Sequence, residues 1–455
     1  MKKTGLKAFS IFLLFLLFVL TVSLSGSEIF ETSLDNGLTL LIREDHSVPL
    51  VAVRVCYHVG IKNECPGLTG ITSICEAIMW QGTRAYKKGE IARIIQAGGG
   101  YTSSFTDWDV THFYSRVPSD MLDTVLMLEA DRMAGTGLTS EKLLLSKDIV
   151  RKKRLSEVES SIYGRINEEY FNLAYRAHPY GHNKYGWPDD INRINLDDLK
   201  KHFRTYFQPS NAVLVIAGDL ETEAIVKRVT ELFGNINSRP MEERRPISEP
   251  ESIGDRRSVI VADIGVPAII MGYRIPGISH PDYPVLNIIT NILGTGTSSR
   301  IYQRMVNDEK SAMYTDGGII MSEEPGLIYF YALLNYDSPV EDAEKQMSGE
   351  IKRIKDEMIT EAELEKAKNQ VVVNYYRNSR TLDDITRNLG TARFITGDVN
   401  FGKHLVNAVH HVSTEKIIQT AQKYFKNSNR IVVVISPPEA GDAYIFEEDH
   451  EEEHE

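Results

Sequence analysis

Short alternating or apolar stretches separated by strong breakers set the pattern of this chain. Val48–His58 (VPLVAVRVCYH) is β-branched and alternating, which predicts a strand. Ahead of it, Asp35-Asn36-Gly37 lies between the apolar runs of Ser33–Arg43, a tight hairpin signal. Gly67–Thr83 (GLTGITSICEAIMWQGT) reads as one helix with a small-residue lead-in and a Gly-Thr stop. Its one charged residue is Glu76, so this carboxylate is either buried with a partner or turned toward a cavity. Lys87–Ala97 predicts a short amphipathic helix ended by Gly98-Gly99-Gly100. Tyr101–Arg116 is rich in Thr and aromatic residues and predicts a strand pair or one long strand. Helices follow at Ser119–Met133, Lys142–Ser160, Tyr163–Ala177 and Leu196–Phe207, and a buried strand at Asn211–Gly218. The basic cluster Lys147, Arg151, Lys152, Lys153 and Arg154 reads as a solvated helix face.

Arg239–Arg257 carries Pro240, Pro246, Pro250 and many charges, and reads as an exposed linker. Beyond it the plan repeats, with a strand in Ser258–Ile270 and a helix over Pro284–Leu293. YFQPSN followed by AVLVI matches YFKNSN followed by RIVVVI, so Tyr206, Phe207, Ser210 and Asn211 align with Tyr424, Phe425, Ser428 and Asn429 at an offset of 218. The same offset sets Leu68 and Ile71 against Leu286 and Ile289. Two homologous α+β domains are expected, residues 28–236 and 258–440, joined by 237–257 and facing each other.

Composition narrows the class. A formal charge of −12 argues against a nucleic-acid partner, which needs a basic footprint. Residues 1–26 differ from the rest: Lys2, Lys3 and Lys7 precede the apolar run Phe9–Val22 and the small residues Ser23, Ser25 and Gly26. This is the pattern of a secretory signal peptide, too short for a stable membrane span, so the chain is expected to be exported to a periplasmic or extracellular location. Residues 441–455, ending EEDHEEEHE, are expected to be an acidic disordered tail. Cys56, Cys65 and Cys75 form no CxxC; they read as three small buried hydrophobes, with a Cys56–Cys65 disulfide as the alternative.

Taken together, SLDNGLTLLIREDHSVPLVAVRVCYHVGIKNE, GLTGITSICEAIMWQGT, GGGYTSSFTDWDVTHFYSRVP, LEADRM, AHPYGHNKYGW, GTGTSSRIYQRMV, TEAELEKAK and LGTARFITGD resemble, in this order, the insulinase/pitrilysin metallopeptidases, whose relatives include the mitochondrial processing peptidase and the complex III core proteins. The resemblance implies two insulinase-type domains, each a mostly antiparallel sheet covered by helices, arranged as a clam around a cavity. It also implies a His-x-x-Glu-His motif on the first helix, with both histidines on one helix face toward a zinc ion and the Glu as general base. Here the histidine positions fall on Ser73 and Ala77, Glu76 falls on the general base, and the distant acidic ligand falls at or beside Lys153. Alanine has no donor, serine is a poor zinc ligand and lysine is cationic, so no cofactor is expected. An ion pair from Glu76 to Lys152 or Lys153 is expected in the metal's place.

Other histidines are scattered. His178 and His182 have four-residue spacing but enclose Pro179 and Gly181; His410 and His411 are adjacent. The family's substrate-holding Tyr falls on Tyr314, while its Arg partner falls on Asp308 or Asn307, with Arg300 and Arg304 out of register. The resulting expectation is an exported, catalytically inactive homologue that binds peptides and pairs with an active insulinase-family subunit, or with itself. The alternatives are a zinc endopeptidase with displaced ligands and a stand-alone, core-protein-like binding module.

Overall fold

The computed structural model describes residues 28–438 except 242, 243, 245, 252, 253 and 263. The expected signal peptide and acidic tail lie outside the described residues. The first half runs β1 (Phe30–Ser33), β2 (Thr39–Glu44), β3 (Leu50–Tyr57), α1 (Ile71–Ile78), α2 (Glu90–Ala97), β4 (Tyr101–Thr106), β5 (Thr111–Pro118), α3 (Leu122–Ala134), α4 (Ser140–Arg154), α5 (Ile162–Ala174), α6 (Pro188–Arg193), α7 (Leu196–Tyr206), β6 (Ala212–Gly218) and α8 (Thr222–Phe233). The second runs β7 (Arg256–Val261), β8 (Ala268–Ile275), α9 (Tyr283–Leu293), α10 (Arg300–Tyr302), β9 (Ala312–Ile320), β10 (Gly326–Leu334), α11 (Val340–Asp356), α12 (Glu361–Arg377), α13 (Leu382–Ile395), α14 (Phe401–His410), α15 (Thr414–Tyr424) and β11 (Arg430–Ser436).

The strand order is β1-β2-β6-β3-β5-β4 in one sheet and β7-β11-β8-β10-β9 in the other. Each sheet is antiparallel except for one parallel pair, β2 with β6 and β7 with β11. The duplication expected from the sequence is therefore built into the topology. The offset of 218 maps β3 onto β8, α7 onto α15 and β6 onto β11 end to end.

Several elements differ from the sequence pattern for local reasons. The helix expected over Gly67–Thr83 is confined to Ile71–Ile78, because Gly67 and Gly70 have φ of 87° and 85° and break the lead-in. Tyr101–Arg116 is a strand pair, turned at Asp107–Val110. The strand expected over Ser258–Ile270 is two strands, and Arg256, expected in the exposed linker, is a buried start of β7 that donates to the Leu173 and Ala174 carbonyls at 2.6 and 2.8 Å. The basic helix is not uniformly solvated. Lys147 is buried and donates to the Asn192 carbonyl at 2.9 Å, and Arg154 is buried against Glu159, Glu168 and the Gly186 carbonyl.

Each sheet buries one face under its own helices. In the first half Val53, Val55 and Tyr57 meet α1, α3, α7 and α8; in the second, Met271, Tyr273 and Ile328 meet α9, α11, α12 and α15. The opposite faces are covered by exchange. Ile166, Tyr170, Phe171 and Ala174 of α5 pack on Ile270, Ile431 and Val433 of the second sheet. Ile385 and Leu389 of α13 pack on Leu41, Cys56, Val213 and Val215 of the first. Among the described residues no helix is long and apolar enough to cross a membrane.

Candidate active site

Helix α1 is anchored before any chemistry is considered. All eight of its residues are buried. Glu64 accepts the Gly70 and Thr72 amides at 2.7 and 2.9 Å, so a carboxylate caps the positive end of the helix from six residues upstream. Burial pushes the Glu64 carboxyl up to about 8, against the pull of those amides. Gly70 is required twice over. Its φ is left-handed, and a Cβ there would overlap the Tyr185 carbonyl, while one on Gly186 would overlap Thr69. The AHPYGHNKYGW stretch therefore serves as a brace held against the start of α1.

On this helix Ser73, Glu76 and Ala77 share a face. Glu76 Oε1 accepts from Ser104 Oγ at 2.8 Å and Oε2 from Thr106 Oγ1 at 2.7 Å, tying α1 to β4. Trp80 Nε1 donates to the same Ser104 hydroxyl at 2.7 Å. Lys153, in the last turn of α4, brings Nζ to 3.8 Å from Glu76 Oε1. This is ion-pair range, too long for a hydrogen bond. Lys152 instead pairs with Asp148 at 2.8 Å.

Ser73 Oγ donates to the Lys184 carbonyl at 2.6 Å, so the hydroxyl is spoken for by the brace. Ala77 contributes no donor atom. A zinc ion does not fit this set: one carboxylate already holding two hydroxyls, an ammonium, a committed hydroxyl and a methyl group.

The remaining histidines sit apart. His178 accepts from the Tyr180 amide at 3.1 Å and contacts the Glu324 carboxylate. His182 Nδ1 lies 3.0 Å from the Asn183 carbonyl oxygen, and Nε2 lies 3.6 Å from Glu64. His46 pairs with Asp219, His58 with Glu323 and His404 with Asp398, while His112, His202 and His280 lie by Cys56, Thr72 and Asp282. Among the described residues no group of three or more His, Cys, Asp or Glu side chains is arranged to hold a metal.

Tyr314 lies on β9 opposite Leu333 and is half exposed. Burial and the neighbouring Asp316 raise its phenol. Arg300 does not reach toward it but forms a two-pronged pair with Glu363, 2.8 Å at each contact, and Arg304 pairs with Glu309 at 2.7 Å. Asn307 and Asp308 end a π-helical turn, Gln303–Asp308. All three cysteines are free; Cys56 and Cys75 are buried, but Cys65 is exposed, contrary to the expectation of three buried residues. Cys56 faces His112 Nδ1 at 3.3 Å, and burial pushes its thiol up to about 12.

Sequence reasoning missed a charged clasp between the halves. The β9–β10 turn inserts Glu323 against His58 at 2.6 Å and against Lys62, which also lies 3.6 Å from Asp109. The Glu323 amide donates to Asp109 at 2.9 Å, Tyr175 donates to the Pro325 carbonyl at 2.6 Å, and Glu324 contacts His178 and Arg244. Beside it a cleft of about 370 Å³ is lined by Trp108, Phe171 and His182 from the first half and Ile270, Ile320 and Tyr329 from the second.

The insulinase (peptidase family M16) model matches residues 39–186, and the model described as peptidase M16 inactive domain matches residues 193–371. Zinc protease PqqE of Helicobacter pylori is 26% identical over 410 residues, spanning 89% of this chain and 92% of that protein. A probable mitochondrial-processing peptidase subunit beta of Arabidopsis thaliana is 21% identical over 427 residues, spanning 91% of this chain and 79% of that protein. The crystal structure of a protease from Helicobacter pylori matches with a TM-score of 0.85 at 24% identity, covering 90% of this chain and 100% of that one. With both halves matched in order and the duplicated sheets superposing on that fold, the chain belongs to the insulinase family, peptidase family M16.

Proposed function

We propose that this chain is a non-hydrolytic member of the family, exported, which holds peptides and pairs with an active zinc peptidase subunit. The observation that carries this reading is the approach of the Lys153 ammonium to Glu76, at the position where the family resemblance places an acidic ligand. With Ser73 committed to the Lys184 carbonyl and Ala77 bare, Glu76 has no metal-bound water to act on and serves as a hydrogen-bond acceptor between α1 and β4. The peptide-holding half of the proposal is supported by β4, an outer strand of its sheet whose outer backbone groups can pair with an extended segment. The cleft between the halves has the volume of a small-molecule pocket, small for a longer peptide, which supports a chamber completed by a second subunit. The relative named as a processing-peptidase beta subunit supports pairing, and the lysine-flanked apolar N-terminus supports export.

Metal analysis of the purified chain tests the central point. Zinc below one-tenth of stoichiometric, with full occupancy gained in the triple variant Ser73→His, Ala77→His, Lys153→Glu, is the expected result. Stoichiometric zinc in the unaltered chain, with peptidase activity lost in Glu76→Gln, would reverse it. Co-purification with an active homologue tests the pairing, and a chain that stays alone in its presence sinks that part.

A further inference from the structure

On the face of the first sheet opposite α1, a cavity of about 280 Å³ opens between β3, β4, β5 and the first turns of α13. Strand alternation puts Arg54, Tyr101, Phe105 and Tyr114 on this face, away from Ser104 and Thr106, which point at Glu76.

The charges at this cavity do not cancel. Arg116 at its rim pairs with Asp383 Oδ2 at 3.0 Å, and Arg387 pairs with Asp384 Oδ1 at 3.0 Å, so each carboxylate has a guanidinium of its own, while Asp383 Oδ1 is buried without a hydrogen-bond partner. Arg54 is only 2% exposed. Its Nε donates to Thr386 Oγ1 at 3.2 Å, its Nη2 donates to the Asp383 carbonyl at 3.1 Å, and its guanidinium stacks 4.3 Å from the Tyr114 ring centre. Its Nη1 is buried without a hydrogen-bond partner, and among the described residues no carboxylate lies in ion-pair range of it. Asp383 lies beyond ion-pair range and is shared with Arg116, so it offsets the Arg54 charge only in part, and a buried guanidinium facing a carbonyl, a hydroxyl and a ring is costly unless a closer anion arrives.

We propose that this cavity is a carboxylate-binding site, anchored by Arg54 and walled by Tyr101, Phe105 and Tyr114. A carboxylate matches the planar fork of a guanidinium and carries a single charge. A dianionic phosphate would meet Asp383 and Asp384 at the same mouth and be repelled. The aromatic walls favour a carboxylate with an apolar or planar carbon body. Such a group can come from a free small acid or from an acidic side chain on a peptide laid along β4. The site does not depend on the peptide-holding reading, because a small acid binds here whether or not a peptide or second subunit does.

The test is calorimetric titration and thermal shift of the full chain with benzoate, its neutral counterpart benzamide, and N-acetylglutamate α-amide. Benzoate is expected to bind at least tenfold more tightly than benzamide and to raise the melting temperature, and Arg54→Gln to abolish that difference. Should that variant fail to fold, Asp384→Asn at the rim is expected to tighten benzoate binding severalfold. Tighter binding of the blocked glutamate than of benzoate assigns the site to peptide side chains; the reverse order assigns it to free acids, and either order supports a carboxylate site. Equal binding of benzoate and benzamide, or binding of neither, overturns the proposal.

Discussion

Glu76 holds two hydroxyl donors from β4 at short distance and one ammonium from α4 at the edge of ion-pair range. The magnitudes separate these contacts. Lys153 is nearly half exposed, and a pair at 3.8 Å with one member in water contributes between nothing and about 1 kcal/mol. The two hydroxyls donate to Glu76, and removing it leaves Ser104 without this acceptor and Thr106 with only the Thr111 hydroxyl at 3.4 Å, at a cost of about 1–3 kcal/mol. Lys153→Met should therefore leave urea stability within about 1 kcal/mol of the parent, whereas Glu76→Ala should lower it by about 2–4 kcal/mol once the lost packing is included. Equal losses would mean that the ion pair, not the hydroxyls, secures the site. The meeting of Glu76 with Lys153 was legible because family spacing carries register across 77 positions. The Ser73 bond to the Lys184 carbonyl was not, since nothing in a serine codon position announces which backbone oxygen it will reach.

Helix α1 and the β9–β10 turn show what pattern reading does and does not deliver for an element. The apolar character of α1 announces a buried helix, but pattern reading carries that helix back through Gly67 and Gly70, whose left-handed φ breaks it. The use of Gly70 as a docking surface for Tyr185 needs the fold, because the two are 115 positions apart. Gly70→Ala combines a left-handed φ, costing roughly 1–2 kcal/mol, with a backbone overlap, so it should destabilise by more than about 3 kcal/mol in thermal or urea unfolding. The charged turn was illegible for the same reason. Glu323 reads as an ordinary turn acid, yet its partner His58 lies 265 residues away. Burial pushes the Glu323 carboxyl up, but hydrogen bonds and charge from His58 and Lys62 outweigh it and hold the group down at about 2. A carboxyl depressed in the folded state contributes stability that is present above its unfolded pKa near 4.5 and is lost as pH falls toward 2. Glu323→Gln should therefore cost on the order of 2 kcal/mol at pH 6 and close to nothing at pH 2, when unfolding free energies of the two chains are compared across that range. A gap that stays constant with pH would show that the clasp draws its strength from elsewhere.

The offset of 218 predicted two like domains, and five strands of each sheet repeat in order and sense, β2-β6-β3-β5-β4 onto β7-β11-β8-β10-β9, with β1 added only to the first. It could not predict that α5 of the first half covers the second sheet while α13 of the second half covers the first. An internal repeat says which elements correspond; it does not say which copy's core each one completes. These two helices occupy corresponding places in the two halves, so the exchange is reciprocal and neither sheet has both faces buried by its own half alone. The approach is close as well, since a Cβ on Gly390 would overlap Cys56 Sγ across the junction. Two domains joined only by a linker would melt separately, with the relative motion expected of a small polar interface. Here each half lends the other an apolar surface, which couples their unfolding. Leu389→Ala removes a buried side chain that packs among Cys56 and Val215 of the opposite half and should cost about 2–4 kcal/mol. In calorimetry the variant should melt earlier in one transition, with near-ultraviolet signals from the Trp residues, all in the first half, falling together with backbone signal from the whole chain. A first-half signal that melts early while half of the backbone signal persists would show that the exchanged helices dock without binding the halves into one cooperative unit.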